Sequence, residues 1–246
     1  MRTYLLILSA AILLAVCSCS KDSYESYSGT DGVGGSMACF TVMGNYLYTV
    51  DLNSIYVYDI STPAQPVKIA SKYLGLNVET LFNNGKNLFV GSSNGFYILS
   101  VTNPESPVVL ANYQHVQSCD PVIADTMNAW VTLNTNQSFC GNTVNELQVV
   151  SIANPSSPSL LKRYTMTGPM GLSKNDTALF VCDNGIKMYD CRNPQNIILK
   201  YSQYISAAYD VIVNDSLVMI IGPQGMSQFR INGWHLDLVS NIPVNP

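Results

Sequence analysis

Three carboxylates stand at matching points of the chain, each beside a short apolar run: Glu79, Asp120 and Asp210. They align if two-residue slips at the turns are allowed. Gathered around one mouth, such carboxylates could do acid–base work on a glycoside or hold a hard cation. The simpler reading is stronger: each caps a strand or binds channel water. Two further units carry Ala38 and Gly171 near the corresponding point, which leaves the acidic set incomplete. A second group lies in the segment Leu133 to Glu146, which offers Asn134, Asn136, Gln137, Phe139 and Asn142. Amides beside an aromatic ring suit a polar or sugar-like partner, although a decorated surface insertion would look the same. Cys119 and Cys140 fall at one edge of the same unit and form a disulfide candidate that would pin this loop. Cys182 and Cys191 sit at opposite ends of one strand, too far apart to bridge, and read as small buried hydrophobes. The cysteine spacing matches no zinc pattern, and His115 and His235 are isolated. Nucleophile elbows, Walker loops and Rossmann fingerprints are absent, so neither a metal nor a cofactor is expected.

These groups need elements to position them, and composition says which kind. Charged residues make up 11% of the 246, against 47% hydrophobic, and the net charge is −4. No basic excess exists to meet a phosphate backbone, which excludes a nucleic-acid partner. Plentiful Tyr, Val and Ile with polar turn residues favour strands over helices. The first 18 residues read as an address: Arg2, then an apolar run from Leu5 to Val16, too short to cross a bilayer as a helix. The Cys-Ser-Cys that follows, residues 17–19, resembles the lipobox of bacterial lipoproteins. Cys19 fits acylation better than Cys17, because Ser18 is small at the cleavage position whereas Val16 is β-branched. The next three residues resemble the short export signal of surface-exposed lipoproteins. Residues 19–36 lack an apolar period and read as a flexible tether.

The body repeats. Residues 55–66 (IYVYDISTPAQP), 96–107 (FYILSVTNPESP), 147–158 (LQVVSIANPSSP) and 186–194 (IKMYDCRNP) share an apolar strand, a turn and proline. Residues 226–233 (MSQFRING) keep the strand and lose the prolines. The equivalent positions Ile60, Val101, Ile152, Cys191 and Ile231 are 41, 51, 39 and 40 residues apart. A second strand precedes each, an inner one lies upstream, and a fourth apolar stretch follows the proline turn. Four short strands per unit, with no helical period between them, predict an all-β fold: a five-bladed β-propeller of four-stranded antiparallel blades. The units run 37–76, 77–116, 117–167, 168–206 and 207–246. Their strands are apolar on both faces, so each blade needs a neighbour, and closing the ring would cover the two end faces. Proline ends the third strand in the first four units, and Asp59, Ser100, Ser151 and Asp190 are placed to accept hydrogen bonds from the turn amides.

At these repeats a resemblance becomes specific. Residues 208–221 (AYDVIVNDSLVMII) and 44–51 (GNYLYTVD), with the strand at 55–63, look like the LVIVD repeat of bacterial surface and secreted β-propellers. The resemblance covers 37–246 and departs in the fifth unit's lost prolines and the third unit's insertion. It implies a propeller on the cell surface and transfers no catalytic residues. The expectation is a non-catalytic, monomeric, lipid-anchored outer-membrane protein, exposed at the surface. It would touch the membrane through its N-terminal lipid only and bind a surface protein or glycan through the loop face. The alternative is a surface glycoside-processing enzyme that uses inward carboxylates of the channel.

Overall fold

The structure, a computed structural model, describes residues 34–75, 77–116, 121–135 and 144–244, all within one compact unit. The expectations for residues 1–33, including the signal segment, Cys17, Cys19 and most of the tether, fall outside these residues. So do those for Cys119, Asp120, Asn136, Gln137, Phe139, Cys140 and Asn142.

Five four-stranded antiparallel sheets form in chain order, each a simple meander. Sheet one comprises β1 (Phe40–Met43), β2 (Tyr46–Asp51), β3 (Ser54–Asp59) and β4 (Val67–Tyr73). Sheet two comprises β5 (Val78–Asn83), β6 (Asn87–Ser92), β7 (Gly95–Ser100) and β8 (Val108–Gln114). Sheet three comprises β9 (Val122–Ala124), β10 (Asn128–Leu133), β11 (Glu146–Ser151) and β12 (Ser159–Thr165). Sheet four comprises β13 (Pro169–Asn175), β14 (Ala178–Asp183), β15 (Ile186–Asp190) and β16 (Ile198–Gln203). Sheet five comprises β17 (Asp210–Asn214), β18 (Leu217–Gly222), β19 (Gly225–Asn232) and β20 (His235–Pro243). This is the five-bladed β-propeller that the repeats predict.

The repeat extends below the level of strands. Where the third strand meets the fourth, every sheet shifts register at the same point: after Val57, Ile98, Val149, Met188 and Gln228. A bulge there adds one residue to the outer strand and increases its twist. The fifth sheet keeps the bulge although it has lost the prolines. The proline turns are tied as their sequences require. Asp59 accepts from the Ser61 amide at 2.8 Å, Ser100 from Thr102 at 3.3 Å, and Asp190 from Arg192 at 3.2 Å. The Arg192 guanidinium holds the Asp190 carboxyl down to about 2. Two of the turns also serve the preceding sheet: Tyr48 donates to the Pro104 carbonyl at 3.0 Å, and Tyr164 to that of Pro194 at 2.9 Å.

Because side chains alternate along a strand, each second strand can feed two cores. In sheet two, Leu88 and Val90 pack toward sheet one, while Phe89 packs toward sheet three. Trp130 of β10 meets Leu179 and Val181 of β14, and Phe180 and Cys182 turn to Val218 and Ile220 of β18. Four junctions between consecutive sheets are thus sealed by buried apolar clusters. The expected closure of the end faces is met differently. Among the described residues no such cluster joins sheet five to sheet one, and Leu47, Met219 and Ile221 stay only half-buried.

Candidate functional site

The loop face carries the turns between second and third strands and the connectors that lead from one sheet into the next. Along it stand the exposed apolar and aromatic side chains Leu52 (72% exposed), Tyr73 (67%) and Tyr204 (70%), with the exposed Asp51 beside Leu52. Leu52 sits at φ 33° in the left-handed region, where a bulky side chain is strained, and its carbonyl accepts from Val78 N–H at 2.9 Å. Its backbone is thus tied to sheet two while its side chain projects into solvent.

Below this rim the axis is filled by the chain itself. The Ser36 hydroxyl donates to Asp210 Oδ1 at 3.2 Å and accepts from Leu172 N–H at 2.8 Å. Asp210 is buried, and Val211 N–H also donates to its Oδ1 at 2.9 Å. Burial pushes the Asp210 carboxyl up to about 6, against the lowering effect of these donors and of the Met37 amide. Two glycines make the approach possible. A Cβ on Gly35 would lie 2.1 Å from Asp210 Oδ2, and one on Gly171 would lie 2.2 Å from Oδ1. The residue that breaks the acidic series in unit four is therefore the one that admits the carboxylate of unit five. Gly35 and Ser36, read from sequence as tether, are buried against sheets four and five.

Glu79 lies apart from this arrangement. It is exposed on the rim, where partial desolvation pushes its carboxyl above the usual range. Among the described residues no second carboxylate reaches Asp210 by a hydrogen bond, and the hydroxyl that does, Ser36, is held between Asp210 and the Leu172 amide. Asn134 is buried at the foot of the long loop. Beside it a chain of hydrogen bonds runs from Thr135 N–H to Asn145 Oδ1 (3.1 Å) and from Asn145 Nδ2 to the Thr167 carbonyl (2.9 Å). It continues to the fully buried Asp183, which accepts from Gly168 N–H at 2.8 Å and pairs with Lys187 at 2.6 Å. This network fixes the two feet of the loop to sheet four. Sequence reasoning missed Asp183, and the only local sign was the turn-forming Asn184-Gly185 that follows it.

At the other end of the axis, Gly34, Phe82, Ile123, Asp125, Lys174 and Val213 line a cavity of about 360 Å³. Lys174 lies 3.3 Å from Asp125, and Asp176 adds a second carboxylate to the lining. Burial pushes the Asp125 carboxyl up, but the Met127 and Asn128 amides and Lys174 outweigh it and leave it below the usual range. Cys182 and Cys191 are buried, and burial raises both thiols, so neither is a ready nucleophile. Among the described residues no three His, Cys, Asp or Glu side chains gather as a metal site needs.

Sheets arranged in this way, with the loop turns at one end and the first strands at the axis, define the β-propeller class. The chain carries LVIVD repeats, matched over residues 34–72, 82–115 and 136–166. The matches fall on sheets one to three; sheets four and five build the same unit without one. No curated protein matches the sequence. Solved structures show the same fold. A protein from Lactobacillus plantarum is similar with a TM-score of 0.64 at 9% identity, over 81% of this chain and 69% of that one. A periplasmic gluconolactonase from Pseudomonas aeruginosa scores 0.64 at 11% identity, over 82% and 68%. A chain of a nidogen–laminin complex scores 0.57 at 12% identity, over 83% and 77%.

Proposed function

We propose that the protein is a non-catalytic, lipid-anchored propeller of the outer cell surface that binds a protein or glycan partner through its loop face. The observation that carries this reading is the contrast on that face. Leu52, Tyr73 and Tyr204 are held out to solvent by a rigid frame, whereas Asp210, the channel carboxylate, is covered by Gly35 and Ser36. Tyrosine offers a flat apolar surface with a polar tip and loses little entropy on binding, which suits both protein surfaces and sugar rings. Asn136 and Asn142 of the long loop, with Glu79 on the rim and Asp120, would add polar contacts, and Phe139 an aromatic one. The likeness to a nidogen–laminin chain agrees with a binding role at the level of fold. Cys19 would carry the lipid, and among the described residues no helix is long and apolar enough to cross a membrane.

A second reading, enzymatic processing of a sugar substrate, draws on the likeness to a gluconolactonase. One set of assays separates the two. The lipid-free Cys19→Ala chain is applied to an array of surface glycans and extracellular proteins, alongside Tyr73→Ala with Tyr204→Ala. The binding reading expects a signal that falls at least about tenfold in the double variant without loss of thermal stability. In parallel, glycosides and sugar lactones are offered with Glu79→Gln and Asp120→Asn. Turnover that these substitutions abolish, with the fold intact, would establish the enzymatic reading instead. Metabolic labelling with a fatty-acid analogue tests the anchor: Cys19→Ala should lose all label, and retention would contradict the assignment.

A further inference from the structure

The junction that lacks an apolar seal is also the one that the N-terminal residues cross. Residues 34–39 run along the axis immediately before β1 and touch three other sheets. Ser36 is 1% exposed, and its hydroxyl bonds Asp210 of sheet five and the Leu172 amide of sheet four. A turn closes at Ala38, whose amide donates to the Gly35 carbonyl at 3.1 Å. The Ala38 carbonyl then accepts from Leu81 N–H of sheet two at 2.7 Å, and the Cys39 carbonyl accepts from Val50 N–H at 2.9 Å. Each contact is a buried or backbone hydrogen bond, the kind whose loss leaves an unpaired polar group. The close approach to Asp210 requires the missing side chains of Gly35 and Gly171.

We propose that residues 34–39 are an axial strap that takes the place of the missing fifth seal, with Asp210 as its anchor on sheet five. The strap is sensitive to protons. Asp210 is buried among Gly35, Ser36, Met37, Gly171 and Val211, none of them charged, and the nearby Cys182 thiol on β14, which burial and the Asp210 charge push up, stays protonated and brings no charge to it. Its carboxyl is raised from 3.8 to about 6, so its contribution to holding the strap is fully present below 3.8 and is lost as pH rises through 6. Local opening of the strap should therefore be more frequent at neutral pH than in acid. This device is independent of whatever the loop face binds.

The test follows amide hydrogen exchange in the full chain at pH 5 and pH 7.5, corrected for the chemical exchange rate. The Leu172 amide reports on the strap, because its acceptor is the Ser36 hydroxyl. Ser36→Ala should speed exchange at Leu172 by at least about tenfold and leave the β10 amides unchanged. Wild-type Leu172 should exchange faster at pH 7.5 than at pH 5 after correction, and Asp210→Asn should remove that difference. Equal protection of Leu172 in wild type and Ser36→Ala would overturn the strap. A pH difference that survives in Asp210→Asn would overturn Asp210 as its proton-sensitive anchor.

Discussion

Two junctions of this ring are built from the same repeat and differ in what holds them. Between sheets three and four, Ile123, Trp130, Val149, Leu172, Leu179 and Val181 form one buried cluster. Between sheets five and one, the equivalent second strands offer Leu47 and Met219 only half-buried, and Phe40, Val239 and Ile242 stand exposed. A strand that is apolar on both faces seals only where a neighbour presses against it. Stacked repeats of this kind behave as nearest-neighbour systems, in which the end units have one partner instead of two. Here the ends are joined at the axis by hydrogen bonds from a short polar segment. The sealed junctions rest on area removed from water; the strapped one rests on a few satisfied polar groups and one buried carboxylate.

That contrast can be broken by substitution. Trp130→Ala empties a fully buried site and should cost about 3–5 kcal/mol, whereas Met219→Ala at the strapped junction should cost less than about 1 kcal/mol. Urea denaturation of both variants measures the gap, and equal losses would mean that the fifth junction is sealed like the others. Next in size is the pH effect. Raising the Asp210 carboxyl from 3.8 to about 6 corresponds to ~3 kcal/mol. That stability is complete below 3.8 and gone above 6. Measured between pH 4 and pH 7, the wild type should lose most of it, and Asp210→Asn should show a correspondingly flatter profile. The smallest effect belongs to a sealed junction: Lys174→Ala removes a partly exposed pair with Asp125 and should cost at most about 1 kcal/mol, with less loss in high salt. A larger loss that shrinks in high salt would show that charge, not the apolar cluster, holds sheets three and four.

The sheets were legible in the sequence because their period is carried by many residues at once. Ile60, Val101, Ile152, Cys191 and Ile231 repeat at the spacing at which the structure places its bulges, and the turn acceptors Asp59 and Asp190 do what their positions imply. The strap was not legible. Gly35 and Ser36 have no apolar period and a linker's composition, and only their contacts with Asp210 and the Leu172 amide, far along the chain, give them a place. Asp183 escaped for the same reason, since its partners Thr167 and Gly168 lie on the far side of a turn that sequence alone does not fold. Asp210 itself was found, but as part of an acidic set; its neighbours in space are small residues, not acids.

The most direct test of the unequal junctions is native-state hydrogen exchange in the unmodified chain, comparing β10 and β11 of sheet three with β17 and β18 of sheet five. Sheet three is sealed on both sides and sheet five on one. The β17 and β18 amides should therefore open at a distinctly lower free energy than those of β10 and β11, through a local event that spares the rest of the ring. A single opening free energy shared by both sheets would contradict the account, because it would show a ring sealed alike at all five junctions.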